Sequence, residues 1–177
     1  MFLKGKHISL RGLEPSDVNL LYLWENDPDV WQISQTLKPY SRFTLKSFVE
    51  SAYQDIYSAK QVRLMIDKLQ SKSTIGIIDI FDFDPFNNRA CIGILIEKNH
   101  RNIGIGTEAL YLTKYYLFEI LKLHQIFCNI IVDNEQSLKL FQSADFKIIG
   151  TKKDWIKIDN GYKDVLLLQC INPNPRF

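Results

Sequence analysis

The chain has 177 residues, of which 46% are hydrophobic and 24% charged, and its formal net charge is +2 at pH 7. This composition is ordinary for a globular protein, and the length suits a single domain over residues 1–177 with a sizeable core. Neither the net charge nor any block of lysine and arginine favours nucleic acid or a membrane surface as the partner.

The cysteines and the N-terminal sequence indicate the cellular compartment of the protein. Cys91, Cys128 and Cys170 are widely spaced among apolar residues and lack zinc-ligand spacing, so we expect buried thiols and no metal site. The N-terminal stretch lacks the apolar core of a signal peptide, and no apolar run has the length of a membrane span. These features predict a cytoplasmic protein.

The first third of the chain alternates predicted helices with irregular segments. Residues 6–11 have the alternation of an edge strand. Pro15 and Asp17 then open a helix that ends near Pro28, because the residue before a proline avoids the helical region. Residues 29–43 are predicted to be irregular. A second helix is predicted from Thr44 to about Ala59, where apolar residues recur at helical spacing.

The rest of the chain predicts most of a sheet. Three strands are expected at 62–67, 74–83 and 90–97, with a turn cluster at 84–88 that makes the last two an antiparallel hairpin. Further elements are a helix over about 106–121, an apolar strand over 125–132 covered on both faces, a helix over 135–144 capped by Asn134, and strands over 147–158 and 162–170. The Asn160-Gly161 pair predicts that these last two strands form a hairpin.

These elements predict an α+β fold. Its sheet is mixed, mostly antiparallel and twisted, with about seven strands and about four helices on its two faces. The helix between residues 96 and 126 implies one parallel strand pair, because such pairs need a crossover.

One stretch, residues 92–110, carries the first functional signal. It predicts a strand, a turn with Gly104 and Gly106, and the start of a helix. Glycines there let a ligand approach the backbone, and the unpaired amides at a helix start attract phosphate. An ordinary strand-to-helix connection has the same pattern, since Gly-x-Gly alone is weak evidence.

A second motif strengthens this signal. Arg101-x-x-Gly104-x-Gly106 is followed about thirty residues later by Asn134-x-x-Ser137, and each motif stands between a strand and a helix. The pair resembles the GNAT family of N-acetyltransferases, although Ala144-Asp145-Phe146 stands where that family usually has a glycine before the phenylalanine. Residues 9–17, Ser-Leu-Arg-Gly-Leu-Glu-Pro-Ser-Asp, resemble the branch with ribosomal-protein-alanine and spermidine acetyltransferases. The resemblance implies the GNAT fold and acetyl transfer from acetyl-coenzyme A to a primary amine.

The resemblance also implies a site for acetyl-coenzyme A. The amides of the glycine turn would bind its pyrophosphate, and Arg101 would add a charged contact or lie free at the surface. The strand before the turn would supply an amide, with Leu95 as the catalytic residue, that polarises the thioester carbonyl. The residues expected to contact the cofactor are Ile94, Leu95, Ile96, Arg101, Asn102, Ile103, Gly104, Ile105, Gly106, Thr107, Asn134, Ser137 and Phe141.

The side chains available here for proton transfer differ from those of the family pattern. An incoming ammonium with a pKa of about 10.4 needs a carboxylate base. Many relatives place a glutamate early in the strand before the glycine turn, where this chain has Cys91. Asp79 is the expected substitute, because a hairpin centred near residues 86–87 sets it opposite about residue 94. The alternatives are that this carboxylate is bonded to a structural partner or faces solvent. Phe141 stands where relatives often have a tyrosine that gives a proton to the leaving thiolate.

The acceptor and the rival function complete these expectations. Trp24, Glu25, Asp29 and Trp31 are the expected acceptor contacts, and they favour a cationic amine. A solvated helix end is the alternative for the acids among them. The acceptor is a polyamine, a protein N-terminus or an amino-acid-like metabolite, attacked directly in a ternary complex because no Cys or Ser sits beside a His. The rival is a cofactor-binding sensor without turnover. The sequence leaves homo-oligomer formation open.

Overall fold

The computed structural model describes residues 3–34 and 36–174, and its centre is one seven-stranded sheet with the order β1-β2-β3-β4-β5-β7-β6. The strands are β1 (Ile8–Arg11), β2 (Val62–Lys68), β3 (Thr74–Asp84), β4 (Arg89–Ile96), β5 (Gln125–Ile131), β6 (Lys147–Ile158) and β7 (Gly161–Ile171). The α-helices in these ranges are α1 (Val18–Glu25), α2 (Pro28–Ser34), α3 (Arg42–Ser51), α4 (Ile56–Ala59), α5 (Ile105–Tyr115) and α6 (Glu135–Ser143). A π-helical turn, Tyr116–Ile120, extends α5.

The strand pairing confirms the predicted fold class. Every neighbouring pair is antiparallel except β4 with β5, which is parallel, as the crossover helix implied. The sheet has the predicted seven strands, whereas the described residues hold six α-helices rather than about four. None of the helices in these ranges is long and apolar enough to cross a lipid bilayer.

The sheet has a hydrophobic core on each face. The larger core joins the sheet to α5 and α6, and Ile78 and Ile80 of β3 belong to it. The smaller core joins the sheet to α1 and α3 and includes Ile77. Successive residues of a strand point to opposite faces, so Asp79 lies on the same face as Ile77. We call the two sides the α5–α6 face and the α1–α3 face.

The helical boundaries of the first third were predicted wrongly. Residues 28–34 form α2, because Pro28 begins a new helix instead of only ending the previous one. The Asp27 carboxylate accepts the Asp29 amide at 2.9 Å, as an N-cap does. The predicted helix over 44–59 is two helices, since the Asp55 carboxylate caps α4 separately.

The β5 strand was also expected to be covered on both faces, and this is wrong. Ile126, Cys128 and Ile130 are buried under the α5–α6 face, whereas Asn129 is exposed on the α1–α3 face. In β3, a bulge after Phe81 shifts the hairpin register by one residue, so Asp79 pairs with Gly93 rather than with residue 94.

An ion-pair network fixes the start of the chain to the sheet edge. Arg11 donates two hydrogen bonds to Asp17, at 2.7 and 2.9 Å, and one to Asp67 of β2 at 2.7 Å. Burial alone would raise the pKa of Asp17, but hydrogen bonds from Arg11 and the Glu14 amide outweigh it and hold the pKa below its ordinary value. The network therefore orients α1, which begins at Val18.

This network predicts a pH-dependent loss of stability in the variant Asp17→Asn. We expect its free energy of unfolding at pH 7 to fall by about 1–3 kcal/mol, because buried donors lose their charged acceptor. The contribution is present above the unfolded-state pKa of about 3.9 and is lost as pH falls through the lower folded-state pKa. Urea unfolding at pH 7 and near pH 3 measures it, with the exposed Asp145→Asn as control. Equal losses in both variants, or a difference that persists in acid, would contradict the prediction.

Candidate active site

The site begins where the two parallel strands part. β4 and β5 pair only at three positions, Arg89 with Gln125, Ala90 with Ile126, and Cys91 with Phe127. Beyond Cys91 the strands separate, and a cleft of about 1400 Å³ opens between them. It is lined by residues 92–96 of β4, by residues 128–131 of β5, by the glycine turn, by α6, and by side chains on the α1–α3 face.

The backbone of β4 presents unpaired groups to this opening. The Glu97 amide donates to the Ile75 carbonyl at 2.9 Å, so Glu97 faces β3. In an antiparallel ladder alternate residues face the same neighbour, and Leu95 therefore also faces β3. Ile94 and Ile96 face the opening instead. The amide expected from Leu95 is thus directed to the sheet, and those of Ile94 and Ile96 are the ones that a ligand in the opening can reach.

Gly104 and Gly106 have different structural roles in the turn. Gly104 has φ of 86° at the N-cap of α5, and a Cβ there would point into space with nothing within 4 Å. Gly106 has a packing role, because a Cβ there would come within 2.9 Å of the Leu140 side chain of α6. The first intrahelical bond closes from Glu108 to Gly104, so the amides between them are free to bind an anion.

Arg101 is held beside this turn by a neutral partner. Its Nε donates to the Ile96 carbonyl at 2.8 Å, and the half-buried side chain lines the cleft. Within residues 3–34 and 36–174 no carboxylate lies within 4.0 Å of its nitrogens. The remaining guanidinium donors are therefore available for a phosphate.

The start of α6 forms the wall next to the turn. The Asn134 Oδ1 accepts the Ser137 amide at 3.1 Å, which confirms Asn134 as the helix cap. Gln136 donates to the Asn102 Oδ1 at 3.1 Å and joins α6 to the turn. Phe141 is 2% exposed and packs edge-on against Phe146 with ring centroids 5.0 Å apart, so it shapes the wall without offering a proton.

The structure brings most of the predicted cofactor residues to this cleft. Ile103 is 62% exposed and Ile105 is buried in the core, and neither lines it. The predicted residues that do line it are Ile94, Leu95, Ile96, Arg101, Asn102, Gly104, Gly106, Thr107, Asn134, Ser137 and Phe141. Three features of these residues fit a coenzyme A thioester. They are the free amides at the start of α5, an arginine with no carboxylate within 4.0 Å among the described residues, and an open edge of β4.

On the α1–α3 face the cleft contains a charged cluster, Glu25–Arg63–Asp79. Arg63 Nε donates to Asp79 Oδ1 at 2.6 Å and Nη2 to Oδ2 at 2.8 Å, while Nη1 contacts Glu25. Burial alone would lower the pKa of Arg63, but attraction to Asp79 and Glu25 outweighs it and keeps the pKa above its ordinary value. With one guanidinium and two carboxylates, the cluster carries one net negative charge when both acids are ionised.

Of the four predicted acceptor contacts, only Glu25 lines the cleft. Trp24 is 9% exposed and packs in the smaller core. Trp31 donates through Nε1 to the Glu25 carbonyl at 2.6 Å. Asp29 pairs with Lys98 at the surface, and hydrogen bonding to Lys98 lowers the pKa of Asp29.

Cys91 lies beneath the floor of the cleft as a buried thiol. It is fully buried, and Asn129 Nδ2 lies 3.8 Å from its sulfur. Burial raises the pKa of Cys91 to about 12, so the thiolate that a nucleophile requires is absent near neutral pH. Cys128 and Cys170 are also buried, as the sequence predicted.

Sequence reasoning missed Arg63, Asn129 and Lys152, which also line the cleft. The Arg63 signal was a charge inside a predicted apolar strand, but its partner Asp79 is known only once β2 and β3 are in register. Lys152 comes from β6, which reaches the cleft through the strand order β5-β7-β6. No local pattern encodes that order.

Comparison with known proteins identifies the class. A family model described as Acetyltransferase (GNAT) domain matches residues 7–147. The chain therefore belongs to the GNAT family of N-acetyltransferases, as its motifs predicted. It is an acyltransferase, and acetyl-coenzyme A is its co-substrate.

Particular relatives match nearly the whole length of the chain. YjcK of Bacillus subtilis (strain 168), named a probable N-acetyltransferase, is 27% identical over 177 residues, covering 97% of this chain and 98% of its own. The structure of spermidine N-acetyltransferase from Vibrio cholerae in complex with CoA and spermine has a TM-score of 0.85 at 22% identity, covering 95% and 97%. The ribosomal-protein-S5-alanine acetyltransferase from Vibrio fischeri has a TM-score of 0.85 at 17% identity, covering 98% of each chain. These two solved structures show the same fold.

The free amides of the glycine turn predict the effect of Gly104→Glu. A carboxylate placed there would repel the pyrophosphate, and we expect acetyl-coenzyme A to bind at least about 100-fold more weakly by calorimetry. Gly161→Glu is the matched control, because Gly161 also has positive φ, 142°, and open space at its Cβ position. Equal affinity in the two variants would show that the turn does not hold the diphosphate.

Proposed function

We propose that the protein transfers the acetyl group of acetyl-coenzyme A to a primary amine by direct attack within a ternary complex. One observation carries this proposal. A single cleft runs from the free amides at the start of α5, through the gap between β4 and β5, to the Glu25–Arg63–Asp79 cluster on the α1–α3 face. Both substrates can therefore meet in the gap without a covalent enzyme intermediate.

The co-substrate supplies an activated acyl group, and the chain supplies its binding and orientation. The amides near Gly104 and the Arg101 guanidinium would bind the diphosphate. The backbone groups of Ile94 and the amide of Ile96, which face the gap, would bind the extended arm as a neighbouring strand would. A backbone amide from one of them would stabilise the negative charge that develops on the carbonyl oxygen.

Asp79 is the base that we propose for the incoming ammonium. It lies on the α1–α3 face of β3 and pairs with Gly93 of β4, the residue before Ile94. The ammonium gives its proton to Asp79 directly or through water, and the freed nitrogen attacks the carbonyl carbon. The carbon–sulfur bond then breaks, its electron pair leaves with sulfur, and the nitrogen releases its second proton to water or to the departing thiolate. A thiol of pKa near ~8.5 can leave as thiolate, so the reaction does not require a tyrosine at Phe141.

Arg63 positions this base. Its guanidinium occupies both Asp79 oxygens from one side and is itself held by Glu25. A bidentate contact fixes the carboxylate plane while leaving the remaining lone pairs open to a proton.

The relatives include a spermidine acetyltransferase and a ribosomal-protein-S5-alanine acetyltransferase. A polyamine and a protein N-terminus are therefore candidate acceptors, together with an amino-acid-like metabolite.

The base assignment predicts the kinetics of Asp79→Asn. The amide keeps the size of the side chain but accepts no proton, so kcat/KM for the amine should fall about 10²- to 10⁴-fold. The affinity for acetyl-coenzyme A should change by less than about twofold, because Asp79 lies on the α1–α3 face whereas the glycine turn begins α5, which packs on the other face. Coenzyme A release and calorimetry measure the two quantities.

The control for this experiment is Asp84→Asn, at the far end of the same strand, where Asp84 accepts from Asn87 in the turn. Undiminished turnover in Asp79→Asn would remove Asp79 as the base. If the unmodified protein binds acetyl-coenzyme A tightly but acetylates no amine in a broad panel, a sensor without turnover replaces the proposed enzyme.

Direct attack also predicts the behaviour of Cys91→Ala. A buried thiol with a raised pKa forms no acetyl-cysteine, so turnover should stay within about threefold of the unmodified protein. Some stability is lost because the smaller side chain leaves a cavity. Mass spectrometry after mixing with acetyl-coenzyme A alone should find no acetylated Cys91. A stable acetyl adduct on that residue, lost with activity in the variant, would refute the ternary-complex route.

A further inference from the structure

Three half-buried cations line the cleft: Arg63, Arg101 and Lys152. Arg63 is paired with two carboxylates. Around Arg101 and Lys152, by contrast, the described part of the chain places no carboxylate within 4.0 Å. A partly desolvated charge is costly without a counter-charge. Arg101 faces the expected diphosphate, which leaves Lys152 as the half-buried cation of the cleft with neither a carboxylate in contact among the described residues nor an expected ligand.

Lys152 is held in place by neutral groups. Its ammonium donates to the Asn129 Oδ1 at 2.8 Å and lies 4.9 Å from the centroid of the Trp155 ring. These contacts fix the side chain but neutralise no charge. An ammonium has three donors, so two remain for a ligand in the cleft.

The position of Lys152 is on the acceptor side of the sheet. Its partner Asn129 contacts Cys91, and Cys91 lies two residues from Gly93, the pairing partner of Asp79, on the same face of β4. Asp79 is on β3 and Asn129 is on β5, two strand spacings apart on the same face. The floor of the acceptor cleft therefore has a negative cluster at Asp79 and a cation at Lys152, separated by on the order of 10 Å.

We propose that Lys152 binds an anionic group of the acceptor, a carboxylate or a phosphate, while the acceptor's amine lies at Asp79. This inference rests on the proposed function and narrows its substrate class to amines that carry an acid several bonds from the nitrogen. A polyamine is disfavoured, because its second ammonium would approach Lys152 instead of an acid.

The test uses pairs of acceptors that differ only in the distant group. Aminoalkyl carboxylates of increasing length are compared with their carboxamides, aminoalkyl phosphates with their alcohols, and spermidine serves as the dicationic contrast. The variants are Lys152→Met, which keeps the length without the charge, and Lys152→Arg, which keeps the charge. The control is Lys153→Met, since Lys153 is exposed and already paired with Asp164.

We expect the unmodified protein to favour an acidic acceptor over its neutral twin by about 10- to 100-fold in kcat/KM, as one charge-assisted contact would provide. Lys152→Met should bring this ratio near one, whereas Lys152→Arg and Lys153→Met should retain it. The carboxylate and phosphate series show which acid fits.

Two results would overturn the inference while leaving the enzyme intact. One is that neutral amines or spermidine are acetylated as well as every acidic acceptor. The other is that Lys152→Met slows both members of each pair by the same factor. Failure to acetylate any amine would instead overturn the proposed function itself.

Discussion

The site depends on the early separation of β4 from β5. A parallel pair that ends after three positions leaves main-chain groups of β4 and β5 unpaired with each other, and buried groups of this kind need another partner. An extended ligand with its own amides can supply them, as an added strand does at a sheet edge. The same gap joins the two faces of the sheet, so the two substrates of the proposed reaction would reach each other where the strands part.

Electrostatics divides this passage into regions of different sign. At the α5 end, free amides and Arg101 create a positive region, and the carboxylates of Glu25 and Asp79 outweigh Arg63 on the α1–α3 face. Between these regions lie apolar side chains of β4, among them the half-buried Ile94 and Ile96, so the surroundings there are less polar than water. Preorganised dipoles act more strongly in such a medium than in water, so the fold concentrates its polar groups where charge enters and develops.

The sequence predicted the features that depend on neighbouring residues and missed those that depend on contacts between distant strands. The glycine turn, the Asn134 cap and the Asn160-Gly161 hairpin depend on neighbouring residues, and the structure confirms them. The Asp79 register was displaced by one residue because a bulge has no strong sequence signal. Leu95 was expected to face the ligand, but alternation along the ladder gives that place to Ile94 and Ile96. Lys152 reaches the cleft only through the order of distant strands.

The acidic first third shows why formal charge misleads about an acceptor. Glu25 and Asp29 suggested a cationic ligand, yet the fold places Arg63 against one and Lys98 against the other. What a ligand meets is the charge that remains after such pairing, together with the cost of leaving it alone in a partly dry cleft. By that measure the proposal about the acceptor rests on half-buried Lys152, whose ammonium contacts an amide and an indole, more than on the acids counted in the sequence.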